Sequence, residues 1–297
     1  MDGASADPCL DTIIFGITKK CGYRCEHCFE WEALNKTETL LREDLLSVIR
    51  SFQRVGINQL QLSGGEPLNR FDDIIYILRN IKRSTEVWLY TSGYMFTEER
   101  AASLKKEGLT GITVSLDHWI PESHNLFRGK KNAFEWAEKA VANAGKSGLI
   151  VCLSLCATKE FITSENLARY AELAKQWGVS FIQVLEPRAV GHYAGKDVSL
   201  TDIQIAQIES FYITYNFNKA YRNYPAVVYH GFYSRRLGCG GAGNRYVYID
   251  TDGDVHNCPF CQQKLFSALH DPIKENLVLM ASGGCNAYKN STKSLQL

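Results

Sequence analysis

Ile13-Ile14-Phe15-Gly16-Ile17 leads within three polar residues to Cys21-Gly22-Tyr23-Arg24-Cys25-Glu26-His27-Cys28. The first segment is rich in β-branched and aromatic residues and reads as a short buried strand. The second is a loop at that strand's C-terminal end, the end at which parallel α/β sheets build their sites. Its three thiols can wrap one metal centre, and thiolates favour zinc or iron–sulfur clusters. Structural zinc normally takes four protein ligands. A set of three leaves a position open, as catalysis requires.

The same alternation continues outward from this stretch. Helical patterns over 42–55, 71–83, 97–107, 132–147 and 164–177 separate strands at Ile57–Leu62, Val87–Tyr90, Ile112–Leu116, Ile150–Leu155 and Phe181–Leu185. Glu43-Asp44 and Asp72-Asp73 lie where acidic side chains favour a helix start. Six β-α units in a row predict an α/β fold with a parallel sheet, a partial (βα)6 TIM-like barrel with helices outside. Beyond Arg188 the pattern changes. Residues 189–200 read as a Gly-rich polar loop and 201–219 as a sixth helix. Tyr246–Asp250 and Asp254–His256 read as a hairpin turning at Gly253. The expected domains are 1–219, the barrel, and 220–297, a small hairpin-containing domain that carries the second group of cysteines.

The chain has 297 residues, 45% of them hydrophobic, enough to bury a large core. Lys plus Arg number 33 against 32 Asp plus Glu, with no charged block, so neither nucleic acid nor an anionic membrane is expected as partner. The first ten residues lack a signal peptide's apolar centre, and no apolar run is long enough to span a membrane. The expected location is cytoplasmic. Ten cysteines are many for such a chain, and a reducing compartment favours metal or redox chemistry over disulfides.

The CX3CX2C spacing of Cys21, Cys25 and Cys28 resembles the signature of the radical S-adenosylmethionine enzymes. That resemblance implies a [4Fe–4S] cluster on these three residues, with the fourth iron binding S-adenosylmethionine. It also implies reductive cleavage of that cofactor to a 5′-deoxyadenosyl radical, which abstracts hydrogen from substrate. Further segments match in order. Gly64-Gly65-Glu66-Pro67 is similar to the family's GGEP. Thr91-Ser92-Gly93 is similar to its T-N-G, with Ser for Asn. Ser115-Leu116-Asp117 matches S-L-D, with His118 following in place of Gly. Arg128-Gly129 is similar to its R-G. The resemblance implies cofactor contacts from Gly64, Gly65, Glu66, Thr91, Ser115 and Asp117. It implies a pairing of Arg128 with the cofactor carboxylate and an aromatic role for His27 beside adenine.

Cys239, Gly253 and Cys258 resemble the C-X(9–15)-G-X4-C opening of the SPASM and Twitch extensions of that family, and with too few cysteines nearby for two auxiliary clusters the 220–297 region is more similar to a Twitch domain, with one auxiliary iron–sulfur cluster. Cys258-Pro259-Phe260-Cys261 adds a CX2C pair, and Cys285 can complete a four-thiolate set for a second [4Fe–4S] cluster. A four-cysteine zinc site and a free Cys285 thiol remain alternatives.

The reaction implied by the resemblance is modification of a peptide, by crosslinking, oxidation or epimerisation. Oxidation of a small alcohol or amino-sugar is the second reading, and a non-catalytic iron–sulfur electron carrier the third. An external donor such as flavodoxin or ferredoxin would supply electrons. Twenty residues precede Cys21, too few for a leader-binding winged helix, so a peptide is expected to be held otherwise or by a separate protein. Finally, alternation along Val151-Cys152-Leu153-Ser154-Leu155-Cys156 sets Cys152, Ser154 and Cys156 on one face. Directed into a barrel lumen, Cys156 is a candidate hydrogen-atom donor. A packed core thiol is the alternative.

Overall fold

The computed structural model describes residues 10–239 and 241–281. In chain order it contains β1 (Thr12–Gly16), α1 (Arg42–Arg54), β2 (Gln59–Ser63), α2 (Phe71–Asn80), β3 (Glu86–Thr91) and α3 (Glu98–Lys106). Next come β4 (Gly111–Ser115), α4 (Pro121–Arg128), α5 (Ala133–Lys146), β5 (Ile150–Cys156), α6 (Ser164–Gln176), β6 (Phe181–Leu185) and α7 (Asp202–Phe217). The chain continues through β7 (Ala226–Val228), α8 (His230–Leu237), β8 (Tyr246–Ile249), β9 (Asp254–His256), β10 (Phe266–Ser267) and α9 (Ile273–Ala281). The expected alternation from β1 to β6 is present. By packing, the chain forms two compact units. One holds the residues up to Lys20, Asn35–Trp88 and those from Tyr233; the other holds Cys21–Leu34 and Leu89–Phe232.

In the first unit β1 is a central strand. It pairs in parallel with β2, Ile13 opposite Leu60, and on its other side with β8, Ile13 opposite Val247. β9 folds back antiparallel on β8, and β10 on β9. The hairpin therefore forms where the sequence places it, with Gly253 at φ 82° in its turn. Its parallel union with β1 has no local signature. Helix α1 buries Leu45, Leu46, Val48, Ile49 and Phe52, an apolar stripe at helical spacing. Asp44 accepts from the Leu41 amide at 2.8 Å and so covers one of the helix's free N-terminal donors.

In the second unit β4, β5, β6 and β7 are parallel neighbours, with Thr113 opposite Cys152 and Ser154 opposite Gln183. Leu153 and Leu155 are fully buried. Thr163 caps α6 through the Asn166 amide at 3.1 Å, and Thr201 caps α7 through the Gln204 amide at 3.3 Å. Helix α4 was not expected from the sequence. Its buried side chains are His124 and Arg128 rather than an apolar stripe. Pro121 opens it, and Gly129, at φ 61°, ends it.

Candidate functional site

In the second unit the cysteine loop is built on the end of α4. The amides of Arg24 and Glu26 donate to the carbonyls of Arg128 and Phe127 at 3.2 and 3.1 Å. Gly129 allows this approach, because a β-carbon there would lie 3.0 Å from the Arg24 carbonyl oxygen. Tyr23, Cys25 and Ala133 form a buried knot, with Cys21, Cys28, Tyr94 and Trp136 packed against it. The three loop cysteines carry no disulfide. Burial, with Cys25 next, pushes the Cys28 thiol up to about 12, and burial raises Cys25 against the opposing pull of Arg128.

Such sulfurs become thiolates on meeting a cation, which iron supplies. Among the described residues no three His, Cys, Asp or Glu side chains close around one metal ion. A [4Fe–4S] cluster asks for a different arrangement, each thiolate on its own iron, and a short loop of three cysteines outside any disulfide fits that demand. Cys21, Cys25 and Cys28 would hold it.

Behind the loop lies a buried polar chain. Arg128 donates through Nε to Asp117 Oδ2 at 2.5 Å, and through a terminal nitrogen to Cys25 Sγ at 3.6 Å. The other Asp117 oxygen accepts from the Cys156 amide at 3.0 Å. The Asp117 amide donates to His124 Nδ1 at 3.1 Å. Asp117 and Arg128, read from the sequence as cofactor contacts, thus have protein partners that tie β4, β5 and α4 to the cysteine loop. Thr91 is buried, and its hydroxyl accepts from the Gly93 amide at 3.0 Å. Ser115 is half-buried at the end of β4. His27 stacks on Phe127 with ring centroids 5.0 Å apart, and its buried Nδ1 has no hydrogen-bond partner. Burial, followed by Arg128, lowers its pKa to about 4, which keeps the ring neutral.

Cys156 is 5% exposed. Burial first, then the Asp117 carboxylate, holds its thiol well above the ordinary range, so it stays protonated. Its backbone bond to Asp117, itself paired with Arg128, sets it close behind the cysteine loop.

In the first unit Gly64-Gly65-Glu66-Pro67 grips the segment that enters the cysteine loop. The Gly65 amide donates to the Thr18 carbonyl at 2.7 Å and the Glu66 amide to that of Lys20 at 2.8 Å. Gly64, at φ 128°, has no room for a side chain: a β-carbon would lie 2.6 Å from the Thr18 oxygen. Glu66 is buried, and its carboxylate accepts from the Leu68 amide at 3.3 Å. The structure adds residues the sequence reading passed over. Thr18 donates to Glu38 at 2.5 Å, and Lys19, 5% exposed, pairs with Asp252 in the hairpin turn at 2.5 Å. Scattered along the chain, these groups give no motif.

Cys258 and Cys261 bring their sulfurs within 3.3 Å, and the Cys261 amide closes the turn on the Cys258 carbonyl at 3.0 Å. Cys239 is half-buried, and Cys285 lies outside the described residues. Beside the pair, His256 bonds Asp250 at 2.9 Å and the Gln263 carbonyl at 3.0 Å.

Residues 15–174, more than half of the chain, match the radical SAM superfamily, and the chain belongs to that superfamily. It is 25% identical over 300 residues to the mycofactocin maturase MftC of Mycolicibacterium smegmatis, covering 97% of this chain and 72% of that one. It is 32% identical over 187 residues to the GTP 3',8-cyclase of Nautilia profundicola, covering 60% of this chain and 57% of that enzyme. It spans 56% of the corresponding cyclase of Aliarcobacter butzleri, at 27% identity. Among solved structures, Streptococcus suis SuiB bound to precursor peptide SuiA superposes with a TM-score of 0.76 at 14% identity, over 94% of this chain and 67% of SuiB. The enzyme anSMEcpe with bound AdoMet gives a TM-score of 0.68 at 19% identity, over 90% and 79%. These likenesses establish the mostly parallel α/β fold of radical SAM proteins. S-adenosylmethionine binding and one [4Fe–4S] cluster come with the family. Among the described residues no helix is long and apolar enough to cross a membrane.

Proposed function

We propose that this chain modifies a peptide by radical chemistry from S-adenosylmethionine. The observation that carries the reading is the extent of the two curated likenesses. The cyclase match covers 60% of the chain, whereas the maturase match covers 97%, including the C-terminal cysteine hairpin. Two structural neighbours, SuiB with SuiA and anSMEcpe with its Cp18Cys peptide, were solved with peptides bound. The cyclase likeness supports the shared radical chemistry rather than a nucleotide substrate.

In this reading Cys21, Cys25 and Cys28 hold the catalytic cluster, which when reduced supplies the electron for cleavage of S-adenosylmethionine. By the family resemblance Gly64, Gly65, Glu66, Thr91 and Ser115 are each candidate cofactor contacts, through backbone or hydroxyl groups. Asp117 and Arg128 hold the loop from behind, and Arg128 is also the residue that the family resemblance pairs with the cofactor carboxylate. His27 offers a neutral ring for adenine to lie against. Cys239, Cys258, Cys261 and Cys285 hold a second cluster in the 220–297 region, with electrons supplied by a flavodoxin or ferredoxin in a reducing compartment.

The test is anaerobic turnover of the reconstituted full chain with S-adenosylmethionine, dithionite and short peptides encoded beside its gene. The expected result is 5′-deoxyadenosine together with a mass change in one peptide. Cofactor cleavage coupled only to a small alcohol would replace the peptide reading by the second one. No 5′-deoxyadenosine at all would remove both.

A further inference from the structure

The two residues after Ala189-Val190 read as part of an ordinary polar loop in the sequence, yet their hydrogen bonds to the cysteine loop, both 2.9 Å, are shorter than those of the helix end. Gly191 has φ 56°, and a β-carbon on it would lie 2.2 Å from the Cys28 carbonyl oxygen and 2.7 Å from Phe29 Cα. Only glycine fits there. The next amide, that of His192, donates to the Cys28 carbonyl at 2.9 Å. The His192 ring reaches the Cys25 carbonyl through Nδ1 at 2.9 Å. A carbonyl oxygen only accepts, so Nδ1 carries the proton. The ring is held in this pose by Trp31, which stacks on it at 3.8 Å with 6° between the planes.

We propose that Gly191 and His192 are positioning residues for the catalytic cluster. Two N–H donors from this segment fix the carbonyls of Cys25 and Cys28, and so fix the spacing of two cluster thiolates. The end of α4 holds the residues on either side of Cys25, through the Arg24 and Glu26 amides. Donors aimed at backbone oxygens beside a cluster also withdraw negative charge from its surroundings, which favours the more negative, reduced state and raises the potential. The inference rests on the reading of Cys21, Cys25 and Cys28 as cluster ligands, and extends it to residues far away in the chain.

The experiment uses the reconstituted full chain and the variants His192→Phe, His192→Asn and Gly191→Ala. Phe keeps a ring for Trp31 but loses the donor, while Asn places an amide N–H near the position of Nδ1. The first readout is the rate of cluster loss to a ferrous-iron chelator. The second is the midpoint potential of the cluster whose EPR signal changes on adding S-adenosylmethionine.

His192→Phe should lose that cluster about fivefold faster, the scale of one hydrogen bond, and shift its potential to a more negative value. His192→Asn should return to within about twofold of wild type, since the donor is restored. Gly191→Ala, with its backbone clash, should fail to retain that cluster while its helical circular dichroism is unchanged. Equal rates and potentials in wild type and His192→Phe would overturn the proposal. An Asn variant no better than Phe would overturn it as well, by assigning the effect to the ring's shape. A wild type with no cluster responsive to S-adenosylmethionine would instead bring down the ligand reading itself.

Discussion

Arg128 and Asp117 form a 2.5 Å ion pair in the protein interior, with their side chains 8% and 2% exposed. Neither charge has enough water to stand alone. Arg128→Ala leaves the Asp117 carboxylate buried without its cation, and the expected loss is about 3–5 kcal/mol, the scale for breaking a buried pair. Because Arg128 also supports Cys25, the variant should hold less of the catalytic cluster. Anaerobic denaturation and iron counting check both. A variant with normal stability and cluster content, weakened only in S-adenosylmethionine affinity, would assign Arg128 to the cofactor alone.

His124 gives a pH dependence of known sign. Burial, with Arg128 and neighbouring histidines opposing the pull of Asp117, lowers its pKa to about 3. Its Nδ1 accepts from the Asp117 amide, so the folded ring is neutral. The unfolded chain binds a proton that the folded one does not, from about pH 6.5 downward to the folded pKa. Stability from this group is therefore complete above pH 6.5 and declines as the pH falls below it. His124→Asn should be less stable at pH 7.5. It should also flatten the acid limb by about 1.4 kcal/mol per pH unit between pH 6 and 4. Parallel limbs in the two proteins would show that His124 does not titrate on unfolding.

The two cysteine groups should be separable. Cys21→Ala, Cys25→Ala and Cys28→Ala should each lack one cluster and form no 5′-deoxyadenosine. Cys258→Ala and Cys261→Ala should lack the other cluster, retain some uncoupled cofactor cleavage and make no product. Iron content, EPR and product analysis read this directly. Cleavage by a triple Ala variant of the first group would refute the assignment of the catalytic centre.

Cys156 carries the least expected test. With Cys156 as donor, its S–H bond would break to form the product C–H bond, the closing step of an epimerisation, leaving a thiyl radical that one electron from the external donor and one proton restore to the thiol. In deuterated water the wild type should place deuterium in the product. Cys156→Ala should still abstract hydrogen but fail to complete the reaction. Normal turnover by the variant, or no deuterium from wild type, returns Cys156 to the role of a packed core residue.

What the sequence disclosed, and what it hid, follows from the range of each interaction. β6 spans Phe181–Leu185 as expected, because the run is short, apolar and bounded by polar residues. The CX3CX2C loop is legible because its chemistry lies within eight residues. Helix α4 is not, since it buries polar groups that serve the loop rather than a stripe that serves a core. Gly191 and His192 are silent for a related reason: their partners are backbone oxygens, which every sequence carries. Lys19 and Asp252 meet only because the hairpin joins β1, a pairing set by the whole fold.

The pairing of β1 with β8 has a consequence for how the chain is made. β1 leaves the ribosome long before β8, from which most of the described fold separates it in the chain. Until β8 arrives, Thr12–Phe15 presents a bare strand edge just ahead of the cysteine loop, the kind of edge that recruits other chains. A nascent chain stalled after β7, or a protein cut there, would keep that edge open. Such a fragment should be prone to aggregation in the cell even though the residues of the cysteine loop are all present. Synthesis of β8 is thus a condition for safe burial of β1.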